Sequence, residues 1–271
     1  MMKFIYPLIH GRLVRRYKRF LADVILDDGR VVTAHCTNSG TMKTCLEEGA
    51  EVWLSPAADP KRKTQFTWEM IHIGGSWVGV NTSNPNALAF EWINEGLVPG
   101  LEGLSALRRE VKWEDSRFDL YGEELGEGSG EGSGEGLGEG LGEGSGEGSG
   151  EGSGEGLERG PGEGNGRGCF IEVKNVTLKE GERALFPDAV TERGRKHLNT
   201  LVRVKKAGMR AVMLYVVQRR DVRIFSPARE IDPAYGKALD EAVRQGVEII
   251  VVQAQVSPES IEFHRLLPVE L

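Results

Sequence analysis

Three cysteines in 271 residues are too few, and odd in number, for a disulfide framework. Cys36, Cys45 and Cys169 also lack the close spacing of a zinc site, so the chain reads as a protein of a reducing cytoplasm. No run of 18 apolar residues exists, which excludes a transmembrane helix and leaves no membrane partner to expect. A signal peptide is missing as well: the apolar stretch at 4–9 is short, and a basic cluster follows it. The length suits one large or two ordinary domains.

An excess of basic charge is also absent, since the net charge is −7. That sum misleads. Residues 122–168 hold 12 Glu, 2 Arg and 22 Gly, mostly as a Gly-Glu-Gly-Ser repeat without an aromatic or β-branched residue, and carry a charge of −10. Such a segment cannot bury enough surface to offset its ordering entropy, so it is expected to be disordered. Its acidity suggests competition with a phosphate backbone for basic surface. The remainder of the chain is mildly basic, at +3, which is compatible with nucleic acid without demonstrating it.

Residues 1–82 read as a β-rich first domain. Candidate strands at 12–16, 20–26, 31–35, 51–54, 65–73 and 77–80 are separated by Asp27-Asp28-Gly29, Asn38-Ser39-Gly40 and Gly74-Gly75. Short strands at this density predict a small OB-like barrel. Within it, Arg12 to Phe20 packs five cations and two aromatics into nine residues, among them Arg15, Arg16, Tyr17, Lys18 and Arg19. A second cluster, Lys61-Arg62-Lys63, precedes Phe66 and Trp68. Cations for phosphates and rings for bases are the two ingredients of nucleic-acid binding. The competing reading puts the rings in the core and the cations on a solvated rim.

Residues 83–271 read as a second, α/β domain interrupted by 122–168. Asn84-Pro85-Asn86 is a capping signal for a helix over 83–98, which carries Leu88, Trp92 and Ile93 on one face, and Glu91 as a candidate metal ligand. Residues 104–113 fit a helix end or a strand, and 116–121 a strand bearing Asp119. Asp188 is expected to cap a helix over 189–207 that carries Arg193, Arg195 and Lys196, candidates for contact with an acidic polymer. Apolar runs at 210–218 and 247–255 predict buried strands on either side of a helix over 231–245. The alternation describes a mixed α/β sheet.

Cys169-Phe170-Ile171-Glu172-Val173-Lys174 is the stretch where chemistry concentrates. On a strand, Glu172 and Lys174 leave by the same face. With Asp119 on a neighbouring strand, two carboxylates and a lysine can hold a divalent cation and place a water beside a phosphate. Spacing alone leaves a solvated Glu–Lys pair equally open.

Several blocks resemble one family. They are Arg16-Tyr17-Lys18-Arg19-Phe20-Leu21-Ala22-Asp23-Val24, His35-Cys36 with Asn38 and Gly40, Ser116-Arg117-Phe118-Asp119, Ile171-Glu172-Val173-Lys174, the run from Phe186 to Gly194, and Phe225-Ser226-Pro227-Ala228-Arg229. Together they are similar to the sugar fermentation stimulation protein A family over the whole chain except 122–168. The resemblance implies an OB-like domain followed by a PD-(D/E)xK nuclease-like domain. It also implies DNA binding, expected without sequence specificity, and a regulatory role in sugar (maltose) metabolism. Asp119 matches the family's first acidic residue, and Glu172 and Lys174 match its ExK pair. Phe118 stands where the literal motif has proline, and the acidic insertion fills a connection that is usually short. Mg²⁺ or Mn²⁺ would then be held by Asp119, Glu172 and the Val173 carbonyl, with Lys174 on the attacking water. Two functions are implied: a DNA-binding regulator carrying this site, or an active metal-dependent DNA nuclease. Oligomeric state, monomer or homodimer, is left open.

Overall fold

The computed structural model describes residues 1–124 and 167–271. Among these the chain forms sixteen strands and three α-helices. A two-residue strand, β1 (Met2–Lys3), pairs near the far end of the chain, at Ser260 and Ile261, rather than with its neighbours in sequence. Next come β2 (Ile9–Tyr17), β3 (Leu21–Leu26), β4 (Val31–His35), β5 (Glu51–Pro56), β6 (Phe66–Ile73) and β7 (Ser76–Gly79). Antiparallel pairs run β4-β3-β2-β5-β6, and a parallel contact of Ala34 and His35 with Phe66 and Thr67 closes the ring. This is the five-stranded OB-like barrel. Leu13, Ala22, Val24, Leu54, Trp68 and Ile71 alternate inward along their strands and fill it.

Helix α1 (Asn84–Asn94) leads into a hairpin of β8 (Leu104–Trp113) and β9 (Ser116–Glu124). After 125–166 come β10 (Arg167–Val176), β11 (Leu178–Glu180), β12 (Arg183–Phe186), α2 (Glu192–Lys206), β13 (Arg210–Val217) and β14 (Ile224–Pro227). The chain ends with α3 (Pro233–Arg244), β15 (Glu248–Val256) and β16 (Ser260–Leu266). The main sheet has the order β1-β16-β15-β13-β10-β9-β8, and only its two central contacts, β10–β13 and β13–β15, are parallel. Both faces are covered, so β13 is a continuous apolar run, as expected of a strand without a wet side. Cys169, Ile171 and Val173 of β10 pack in the layer of α1, whereas Phe170 and Val176 pack in the layer of α2 and α3. Strands β11, β12 and β14 form a separate small sheet.

Several expectations change. The strand alternative for 104–113 is the one observed. Asp188 does not cap α2. Thr191 does, its side chain accepting from the Gly194 amide, and Gly208 at φ 86° lies in the turn after the helix. Ser83 occupies the N-cap position of α1 without a side-chain bond, and the Asn86 amide is free for other use. Strands β1, β11, β12, β14 and β16 escape sequence reading because they are short or carry mixed patterns. Gly122 to Glu124 and Arg167 to Gly168 are strand, not disordered, because the two site strands extend past the low-complexity boundary. The expected disorder and charge competition of the insertion fall, for 125–166, outside the described residues. All three cysteines are buried and free, and no helix among the described residues is long and apolar enough to cross a membrane.

Candidate active site at the edge of the central strand

Strands β9 and β10 pair from Glu124 opposite Arg167 to Leu120 opposite Ile171, and there the ladder stops. Asp119 and Glu172 are the next residues of the two strands. In place of the next ladder bond, Asp119 Oδ2 accepts from the Val173 amide at 2.8 Å. Its Oδ1 accepts from Asn86 Nδ2 of α1 at 2.7 Å. The N–H and C=O of one strand residue point to the same side, so the Val173 carbonyl also faces this gap.

Glu172 is 2% exposed, so the solvated ion pair that spacing left open is not what forms. Its Oε1 accepts from Lys174 Nζ at 2.5 Å and takes a second, short bond from His197 Nδ1 of α2. One turn earlier on α2, Arg193 donates through Nε to His197 Nε2 at 3.3 Å. Lys174 Nζ also lies 3.2 Å from His197 Nδ1, so the ammonium and the imidazole meet on the same Glu172 oxygen.

The two acids are held differently. Burial, and then the charge of Glu172, push Asp119 up to about 6, although the Val173 amide, Lys174 and Asn86 pull the other way. For Glu172, burial opposes ionisation, but the His197 hydrogen bond and the Lys174 charge outweigh it and hold the carboxyl below its usual range. A hydrogen bond to Glu172 Oε2 is absent among the described residues. The site thus brings one acid that resists ionisation beside one that is ionised, with an ammonium, two carboxylates and a backbone oxygen facing one gap. That set of hard oxygen donors suits a divalent cation.

Glu91 is not brought to this place. It lies five residues beyond Asn86, about 7.5 Å along the helix and facing another direction, and its carboxylate meets the Met1 amino group at 2.7 Å. Asn86 and His197 are the site residues that the sequence does not reveal. Asn86 carries only a capping signal, and His197 carries a signal only in hindsight, one turn after Arg193 on the helix that covers the Glu172 face.

The cationic candidates divide. Arg16 is structural: it donates to the carbonyls of Asn38 at 2.7 Å, Gly40 at 2.9 Å and Arg19 at 3.1 Å. Arg15 pairs with Asp23 at 2.9 Å and lies over the Tyr17 ring, while the Tyr17 hydroxyl bonds Asp23 at 3.1 Å. Arg62 reaches Thr67 at 3.2 Å. Arg195 turns to Asp232 and Lys196 to Asp115. Lys18, Arg19, Lys61 and Lys63 are exposed, and their side chains have no ion-pair or hydrogen-bond partner among the described residues. Trp68 cannot stack on a base, because it is buried in the barrel core with its Nε1 on the Met70 carbonyl. Phe20, by contrast, is 48% exposed.

The fold and site thus define an OB-like barrel joined to a mixed α/β domain with a half-buried and a buried acid where a strand ladder ends. The chain belongs to the sugar fermentation stimulation protein family. Residues 14–80 match the SfsA N-terminal OB domain and 161–260 the sugar fermentation stimulation protein RE domain. A sugar fermentation stimulation protein homolog of Geobacter metallireducens is 46% identical over 268 residues, covering 98% of each chain. One from Pelobacter propionicus is 47% identical over 266 residues, with the same coverage. Among solved structures, Pyrococcus furiosus SfsA in complex with Ca²⁺ is similar over 100% of both chains, with a TM-score of 0.76 and 25% identity.

Proposed function

We propose that this protein binds DNA and hydrolyses a phosphodiester at Asp119, Glu172 and Lys174 with the help of Mg²⁺ or Mn²⁺. The observation that carries the reading is the half-buried Asp119 carboxylate, bonded to the Val173 amide where the β9–β10 ladder ends, beside the buried Glu172. Among the described residues no cage of three or more His, Cys, Asp or Glu exists. Two carboxylates with positions left for water and phosphate are how Mg²⁺ is usually held, rather than by a full protein cage. The Pyrococcus furiosus relative's complex with Ca²⁺, another oxygen-seeking cation, supports the same ligand chemistry.

When bound, the cation would supply a more acidic water and neutralise charge on the phosphate. The remaining work falls to the chain. Asn86 and the Val173 amide fix the Asp119 carboxylate, and His197 fixes Glu172. Lys174, two residues along the same strand face, faces the developing negative charge. On the barrel, Lys18, Arg19, Lys61 and Lys63 neutralise the backbone, a contact blind to sequence.

A second reading, DNA binding without turnover, is favoured by one observation: the Lys174 ammonium is already engaged by Glu172 at 2.5 Å. Regulation of sugar metabolism by occupancy of DNA belongs to this reading. Incubating labelled single-stranded and duplex DNA with and without Mn²⁺, beside Glu172→Gln, separates the two. Metal-dependent products that disappear in the variant while DNA affinity stays support hydrolysis. Products formed at the wild-type rate by Glu172→Gln overturn it. Salt-sensitive binding with no products at any Mg²⁺ or Mn²⁺ concentration selects the second reading.

A further inference from the structure

The two basic loops of the barrel converge. Leu21 is opposite His35, and His35 is opposite Thr67, so the ends of β3, β4 and β6 lie side by side. The turn 18–20 enters the first of these strands, and the loop 57–65 enters the last. They are the connections between barrel strands 1 and 2 and between barrel strands 4 and 5, the loops with which OB folds take oligonucleotides. Lys18 and Arg19 both adopt positive φ, 48° and 63°, in a turn that leaves Phe20 on the surface.

This end of the barrel leads to the acid site through contacts that can be followed residue by residue. Arg16 ties the turn at Arg19 to the loop at Asn38 and Gly40. Gly40 lies so close to Asp188 that a Cβ there would sit 2.0 Å from its carboxylate, and the Asp188 carbonyl accepts from Thr41 Oγ1 at 3.3 Å. Three residues beyond Asp188, Thr191 starts α2, on which Arg193 touches His197, and His197 touches Glu172.

We infer that the barrel end and the acid site form one track for a single nucleic-acid strand. Phe20 is its stacking ring, Lys18, Arg19, Lys61 and Lys63 are its backbone contacts, and Arg193 stands at its entry to the acids. The inference rests on the proposed DNA-binding function and adds the form of the substrate. An exposed ring amid exposed cations matches unstacked bases, whose faces a duplex hides. The acids are also recessed, with Glu172 only 2% exposed and flanked by α2. A flexible strand can lower a phosphate into such a gap, whereas duplex DNA stays straight over many turns.

Fluorescence anisotropy in EDTA tests this without relying on turnover. The probes are a labelled oligothymidylate of about a dozen nucleotides, within the span of one OB barrel, and the matching duplex. The full chain is compared with Phe20→Ala and Arg193→Ala, each verified as folded by thermal denaturation. Tighter binding of the single strand, weakened at least about fivefold by Phe20→Ala and also by Arg193→Ala with duplex binding unchanged, supports the track. Duplex bound as tightly as the single strand, or a single strand indifferent to Phe20→Ala, overturns the track and leaves DNA binding standing. If neither probe binds, the track falls together with the DNA-binding reading beneath it.

Discussion

The basic end of the barrel and the acid site hold charge in opposite ways. At the barrel end, Lys18, Arg19, Lys61 and Lys63 sit on turns and loops in water, free of ion pairs among the described residues. At the acid site, Asp119 and Glu172 are drawn into the sheet edge, and bonds from α1, α2 and β10 fix both. Gripping a phosphate backbone tolerates mobile cations, because the attraction acts at a distance and is averaged over the polymer. Placing a cation against one scissile bond does not tolerate it, since small displacements forfeit the chemistry. The difference separates where the fold spends stability from where it does not.

The largest effect is expected at the acid site. Lys174→Met leaves Glu172 buried with only His197 for company, and breaking one partner of a buried pair is costly because a charge is stranded. The loss is expected near the low end of the usual range, about 3 kcal/mol, since His197 remains. Adding Glu172→Leu to Lys174→Met removes the stranded charge and is expected to recover most of the loss. Urea denaturation of the single and double variants checks both statements. A double variant as unstable as the single one would show that packing, not charge, sets the cost.

An effect of similar size and opposite sign is expected at Asp119. Its native carboxyl keeps its proton to about 6, against 3.8 in the unfolded chain. Between these values the native state binds more protons, so this group's contribution to stability falls as pH rises and then levels off. Asp119→Asn lacks that fall. The variant is therefore expected to match the wild type near pH 4 and to exceed it by about 3 kcal/mol at neutral pH. Glu172's own contribution is lost as pH falls in both proteins, and its repulsion of the Asp119 carboxylate is part of the difference that is read. A stability difference that is flat with pH would remove the strained acid from the comparison.

The same contrast governs how far each region is legible in the sequence. The barrel strands and the face shared by Glu172 and Lys174 depend on a period of two and on turn residues, both local, and both can be read. Asp119 can be named as an acid among apolar neighbours. Groups that reach the site from elsewhere cannot be read: Asn86 across 33 residues and His197 across 25. Their roles come from helix packing, not from any pattern on their own elements. For the same reason Trp68 looks in the sequence like a surface ring, because inward and outward positions of a closed barrel become plain only once the strands are in register. Asp188 looks like a cap, yet its carboxylate is taken by the Met42 amide of the barrel, 146 residues away.

The smallest effect on stability, and the sharpest test of the barrel end, is Lys61→Ala with Lys63→Ala. Both side chains are solvated on the 57–65 loop, so the pair is expected to change folding free energy by no more than about 0.5 kcal/mol. Each lysine that meets a phosphate nevertheless releases about one counterion on binding. The slope of log affinity against log salt is therefore expected to drop by about one per lysine. Arg62, whose guanidinium bonds Thr67, serves as the internal contrast on the same loop. Replacing it is expected to disturb stability more than the two lysines together, through the loop's attachment to β6. If the lysine pair instead leaves the salt slope untouched, the loop does not meet the backbone, and the barrel's grip lies with the turn at Lys18 and Arg19 alone.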